Sequence, residues 1–231
     1  MPSHAARLTA RPATGRTSIE SGVTRVQQSN GRVGYLYVPP DHLEPCPLMV
    51  LFHGAAQFAA RSLEFLQEPA SAAGAALLIP QSLGRTWDII EGGFGPDVQA
   101  LDEALSWAFG VLDVDPTHLG SAGFSDGGSY ALSVGLVNGD LFSHVVGWSP
   151  GFVSAPVRHG RPPVFISHGT RDPVLPIDHC SRRIVAQLRT EAYQLDYREF
   201  DGLHILPPEI ADEAFAWFLR GRGESGVAPV E

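Results

Sequence analysis

The stretch Leu119-Gly120-Ser121-Ala122-Gly123-Phe124-Ser125-Asp126-Gly127 decides how this chain is read. Leu119–Gly123 is a short run of apolar and small residues, the pattern of a strand buried on both faces. Tyr130–Val137, immediately downstream, is compatible with a helix. Between them Gly123-Phe124-Ser125-Asp126-Gly127 matches G-x-S-x-G. The pattern alone is common; a strand before it and a helix after it give it meaning. Such a turn strains the backbone at the serine, and glycines on either side keep bulky neighbours from colliding with adjacent elements. The helix N-terminus favours negative charge developing near Ser125.

Working outward, similar buried-strand runs occur at Leu48–Phe52, Ala75–Pro80 and Val164–Ser167, with a weaker one at His144–Trp148 and an alternating one at Gln194–Phe200. Before them, Val23–Gln28 and Val33–Val38 flank Ser29-Asn30-Gly31-Arg32, and Asn-Gly is a strong hairpin signal. Val98, Leu101, Leu105 and Phe109 share one face of a helix expected to start near Asp97, with Asp97 as its cap. Pro207-Pro208 opens a last helix carrying Ile210, Ala214, Trp217 and Phe218. The alternation predicts an α/β fold: a mostly parallel central sheet with an antiparallel N-terminal hairpin and helices on both faces. The expected boundaries are an N-terminal tail over 1–22, one domain over 23–220, and a flexible C-terminal tail over 221–231.

A serine hydroxyl needs a base to take its proton before it attacks anything. Asp201-Gly202-Leu203-His204 follows the last candidate strand, which makes His204 the expected base. Asp172 sits where Val164–His168 runs into Gly169-Thr170-Arg171-Asp172-Pro173, at a strand's carboxyl end where active-site residues of α/β folds gather. It is the expected partner of the histidine, with Asp178, Asp201 and Asp140 as alternatives. Asp178 is read instead as a helix cap, and Asp201 as too near His204 in sequence. An oxyanion formed at Ser125 would need two backbone donors. These are expected from Asp126 and, in the loop His53-Gly54-Ala55-Ala56-Gln57, from Ala55. His53, at a buried strand end, is read as holding that loop. Phe58, Trp87, Trp148, Phe152 and Leu175 are candidates for the walls of a substrate pocket.

Composition narrows the classes. The chain has 231 residues, 44% hydrophobic and 18% charged, with a formal net charge of -9. An acidic surface argues against nucleic acid or anionic membrane as the main partner. All 16 basic residues are arginines, so Schiff-base chemistry has no lysine to use. The nine histidines have no metal-binding spacing, and no metal is expected. No Gly-rich dinucleotide fingerprint follows an early strand, which argues against redox chemistry. Cys46 and Cys180 are read as free thiols. No run reaches the ~20 apolar residues of a membrane span. The segment Met1–Ser18 carries Arg7, Arg11 and Arg16 but no secretory apolar core, so a cytoplasmic monomer or homodimer is expected.

With these pieces in place, the chain resembles the bacterial phospholipase/carboxylesterase group of α/β-hydrolases, relatives of the acyl-protein thioesterases. It is similar, more loosely, to feruloyl esterases and polyhydroxybutyrate depolymerases. The resemblance rests on Leu51-Phe52-His53-Gly54, Gly95-Pro96-Asp97-Val98, Gly123–Gly127, His168-Gly169-Thr170-Arg171-Asp172-Pro173-Val174-Leu175-Pro176 and Gly202-Leu203-His204, in the family's order. It implies the α/β-hydrolase fold and cofactor-independent hydrolysis of carboxylic or thio esters, of small molecules or polymers, through Ser125, Asp172 and His204. Two positions depart from it. The oxyanion loop reads Ala55-Ala56-Gln57 where the family often has Gly or a larger apolar residue. Asp126 stands where Gln or Met is frequent, and its charge would disfavour anionic acyl groups. Only Pro150 to Pro162 separate two of the strands where such folds carry a lid, so no large lid domain and an open site are expected. Rival readings are a feruloyl, polyester or thioester hydrolase, a peptidase or amidase, and a non-catalytic binding protein on the same fold.

Overall fold

A computed structural model describes residues 6–13 and 19–222. In chain order the elements are β1 (Gly22–Gln27), β2 (Val33–Val38), β3 (Cys46–Phe52), α1 (Ala59–Ala72), β4 (Ala76–Ile79), α2 (Asp88–Glu91), α3 (Pro96–Val111), β5 (Val114–Phe124), α4 (Asp126–Val137), β6 (His144–Trp148), β7 (Val164–Gly169), α5 (Ser181–Thr190), β8 (Leu195–Phe200) and α6 (Pro208–Phe218). The strands form a single sheet in the order β1-β2-β4-β3-β5-β6-β7-β8. β1 and β2 pair antiparallel, β2 joins β4 antiparallel, and every pair from β4 through β8 is parallel.

The apolar runs become central strands because both faces of the sheet are covered. Along β3, Leu48, Val50 and Phe52 face one cluster, built with α3, while Met49 and Leu51 face another, built with α1 and α6. Leu132 and Leu136 of α4 pack with Ile184, Val185 and Leu188 of α5 over β6 and β7. Successive side chains alternate across a strand, so a strand enclosed by helices must be apolar throughout. Cys46 and Cys180 are both buried free thiols, and burial pushes the Cys46 thiol up to about 11.

Two local expectations need correction. Asp97 is not the cap of its own helix: Gly95 occupies that position. Buried in the first turn, Asp97 accepts the Leu83 N–H at 2.8 Å and the Asp88 N–H at 3.0 Å, tying down the preceding loop. Asp178 does not cap α5, which begins after Cys180 without a side-chain cap; it pairs with Arg182 at 2.8 Å. Part of the expected N-terminal tail packs on the core. Leu8 and Ala10 are buried against the α3 side of the core. Asn138 accepts the Leu8 N–H at 2.9 Å and donates to the Ala6 carbonyl at 2.8 Å. Arg7 and Arg11 both reach Asp140, and Asp102 accepts the N–H groups of Thr9 and Ala10. At the other end Arg222 pairs with Asp115 at 2.8 Å. The rest of the expected C-terminal tail, from 223, lies outside the described residues.

Asn138 is fully buried and holds the N-terminal segment from both sides. Asn138→Ala is expected to lower unfolding free energy by about 2–3 kcal/mol, because it leaves buried backbone groups unpaired. Urea denaturation measures this, and limited proteolysis is expected to reach the 6–13 segment earlier in the variant. Wild-type stability and protection would contradict the docking.

Candidate active site

The site grows from one turn. β5 ends at Phe124 and α4 begins at Asp126, leaving Ser125 alone at the corner with φ 59° and ψ −121°. That left-handed backbone costs a non-glycine residue on the order of 1–3 kcal/mol and persists only where its surroundings dictate it. They do so by close approach. A Cβ on Gly127 would overlap the Phe52 carbonyl of β3, and one on Gly123 would overlap the Gly127 backbone. The Ser125 N–H donates to the Trp148 carbonyl at 2.9 Å, fixing the corner to the end of β6. Ser125 itself is only 9% exposed.

Two loops at neighbouring strand ends meet this corner. His204 follows β8 and places Nε2 2.9 Å from Ser125 Oγ. Its Nδ1 lies 2.6 Å from Asp172 Oδ2. An ionised carboxylate only accepts, so Nδ1 carries the proton and Nε2 accepts from the serine hydroxyl. The Phe124 ring sits 4.8 Å from the imidazole, tilted by 39°, and limits its swing. Asp172 is the carboxylate brought to the histidine. Asp201 instead pairs with Arg171, and Asp140 with the N-terminal arginines.

Asp172 is surrounded by donors. Its Oδ1 accepts the N–H groups of Val174 and Leu175, each at 2.8 Å. On the Oδ2 side, His168 Nε2 stands at 3.1 Å beside His204. Burial opposes ionisation of Asp172, but the Leu175 N–H, His204 and the Val174 N–H outweigh it and hold the carboxyl below its ordinary value. His168 is itself fully buried, and that burial holds its imidazole below the ordinary histidine range. As a neutral ring it donates from Nε2 toward Asp172 and the Leu175 carbonyl, while Nδ1 accepts a hydrogen bond from the Ser181 hydroxyl at 2.6 Å. His168 as a support for Asp172 was not singled out from sequence; its signal was the spacing of four residues within His168–Asp172.

Opposite His204, the loop after β3 forms a turn in which Gln57 N–H donates to the Gly54 carbonyl at 3.2 Å. Ala56 takes φ 54°, and its N–H donates to the Arg85 carbonyl at 2.6 Å. The Ala55 N–H has no acceptor among the described residues. Asp126, as the first residue of α4, also has an N–H without an intrahelical acceptor. Its carboxylate is turned to Thr86, whose hydroxyl donates to it at 2.7 Å. His53 ties this loop down: Nδ1 bonds the Gly54 carbonyl, and Nε2 receives the Ser82 N–H at 3.1 Å.

Beside His204 opens a cavity of about 350 Å³ between α1 and the 204–206 loop, lined chiefly by Phe65, Leu66, Phe124, Trp148, Ile205 and Leu206. Of the five wall candidates, Trp148 lines this cavity and Phe58 lines a neighbouring groove. Trp87 is a correction. It is 1% exposed, stacks on Tyr130 at 4.7 Å and donates its indole N–H to the His53 carbonyl, so it supports the loop from within the core. Phe152 and Leu175 line neither space; Leu175 packs against Gly151 on the Asp172 side. The connection from β6 to β7 contains neither helix nor strand.

Sheet order, elbow and loop placement define the α/β-hydrolase fold, and solved structures bear this out. The esterase PE8 superposes with a TM-score of 0.62 at 17% identity, covering 86% of this chain and 98% of that one. The S-formylglutathione hydrolase FrmB of Staphylococcus aureus gives 0.67 at 14% identity, covering 85% and 97%. The Bacillus cereus carboxylesterase gives 0.59 at 18% identity, covering 85% and 93%. In sequence, the chain is 28% identical over 180 residues to "Putative esterase NocK" of Nocardia uniformis subsp. tsuyamanensis. That match covers 73% of this chain, which spans about half the length of the relative. No protein-family model matches.

Gly127 has backbone on every side, so Gly127→Ala is expected to cost more than ~4 kcal/mol and to prevent soluble folding. Gly110→Ala, on the exposed face of α3 with open space around it, is expected to gain about 0.5 kcal/mol. Thermal unfolding of the pair checks this; equal effects would contradict the close approach at the elbow.

Proposed function

We propose that the protein is a serine esterase, hydrolysing carboxylic esters through an acyl-enzyme on Ser125. The observation that carries this reading is His204 standing at 2.9 Å from Ser125 Oγ and 2.6 Å from Asp172 Oδ2. Ser125 Oγ attacks the ester carbonyl as His204 Nε2 takes its proton. Asp172 holds the reactive tautomer and stabilises the imidazolium. The N–H groups of Ala55 and Asp126 receive the oxyanion. His204 then protonates the departing alcohol, and a water molecule, deprotonated by the same nitrogen, releases the acid. These steps call on no metal or organic cofactor.

The esterase description of the Nocardia relative and the esterases among the structural neighbours support the same reaction class. The apolar cavity beside His204 suits short to medium alkyl or aryl portions, and the absence of a helical cap between β6 and β7 suits bulky or polymeric ester ends. The carboxylesterase branch fits these features best among the families the sequence resembles.

A series of p-nitrophenyl esters from acetate to palmitate, assayed on wild type and Ser125→Ala, tests the reading. Short esters are expected to be cleaved, with turnover falling about 10⁴-fold or more in the variant. No cleavage of any ester, or equal rates in both proteins, would contradict it.

A further inference from the structure

A second concavity lies beside the 54–57 turn, and the hydrolytic steps leave it unused. It is an open groove of about 790 Å³ whose lining includes Arg32, Tyr35, Gln57, Phe58 and Arg85. No residue lining it is acidic among the described residues. On a chain of net charge -9 that is a local reversal of sign. Several arginines elsewhere are matched to acids: Arg7 and Arg11 to Asp140, Arg182 to Glu199, Arg198 to Glu213, Arg222 to Asp115. In the groove they are not. Arg32 donates through Nε and Nη2 to the Leu83 carbonyl, and the Arg85 side chain has no hydrogen-bond or ion-pair partner among the described residues.

The groove is joined to the reacting centre. The Arg85 carbonyl accepts the Ala56 N–H at 2.6 Å, beside Ala55. Gln57 lines both the groove and the cavity at His204. His204 has to reach the leaving oxygen, so the cavity that it lines takes the alcohol portion of an ester. The acyl portion then extends the other way, across the 54–57 turn and into the groove.

Resting on the esterase reading, we propose that this groove is an acyl subsite for a terminal anion. The preferred substrates are esters of acids whose far end carries a second carboxylate, such as monoesters of dicarboxylic acids. Tyr35 and Phe58 cover the connecting chain, and the two guanidinium groups meet the carboxylate with charge-assisted hydrogen bonds. Asp126 sets a length requirement. Although held by Thr86, its carboxylate belongs to the residue next to Ser125 and repels an anion close to the scissile carbonyl. The favoured anion therefore lies several bonds away. Because the groove is open, salt weakens the preference.

The test compares kcat/KM for p-nitrophenyl monoesters of six-, eight- and ten-carbon dicarboxylic acids with the neutral esters of the same lengths. The ratio of charged to neutral is expected to rise with length to about threefold to tenfold at low ionic strength. In Arg32→Gln/Arg85→Gln, and at about 0.5 M salt, it is expected to collapse toward one. Arg189→Gln, an exposed arginine of α5, is expected to keep the wild-type ratio. A ratio at or below one at every length overturns the subsite, as does a preference that the double variant retains or that follows a charge placed on the alcohol instead. Cleavage of neutral esters in those cases leaves the esterase reading standing. Cleavage of neither kind overturns both.

Discussion

The close approach of α4 to β3 and β5 is the constraint on which the rest depends. Where Gly127 lies against the Phe52 carbonyl and Gly123 against Gly127, no side chain fits, and the chain between them has to turn within one residue. That residue is Ser125, held at φ 59° by the backbone bond to Trp148. The strain is local; the elements that enforce it are largely buried. α4 is buried along almost its whole length, and β3 along all of it. A side chain mounted this way keeps its position without help from flexible neighbours, which is what the proposed proton transfer with His204 requires.

Electrostatics completes what packing begins. Asp172 is buried, yet it remains a carboxylate because its oxygens face backbone N–H groups of Val174 and Leu175 and two imidazoles. His168 is neutral for the opposite reason, since no water reaches it and its ring is spent on Asp172, Leu175 and Ser181. The same site is asymmetric on its outside. Toward His204 it is mostly apolar, with Arg61 in the lining paired to Glu64, and toward Arg32 and Arg85 it is cationic. An ester with one apolar arm and one anionic arm matches that division.

Much of this was legible in the sequence for identifiable reasons. Central strands had to be apolar on both faces, so Leu48–Phe52 and Val164–Ser167 stood out as runs. The glycine-flanked turn and the loops bearing Asp172 and His204 all lie at strand ends, a position that local pattern reveals. What stayed hidden depends on distant partners. Ala59–Ala72 carries little helical signal in sequence, because its buried face rests on Ala59, Leu63, Leu66 and Ala70 and Pro69 interrupts it. Leu8 and Ala10 are buried only because Asn138 and Asp102, far along the chain, receive them. Asp97 looks like a cap when its neighbours alone are considered; its actual partners are Leu83 and Asp88. Trp87 looked like a pocket wall because aromatic character does not tell whether a ring faces the core or the solvent.

The central claim is that Ser125 is activated by His204 and Asp172 rather than merely placed near them. Reaction with a fluorophosphonate, followed by peptide mass mapping, addresses this without any assumption about the natural substrate. The account predicts one adduct, on Ser125, formed rapidly by the wild-type protein and slowed by at least 10³-fold in His204→Ala. An unmodified Ser125, or labelling that His204→Ala does not slow, would contradict it.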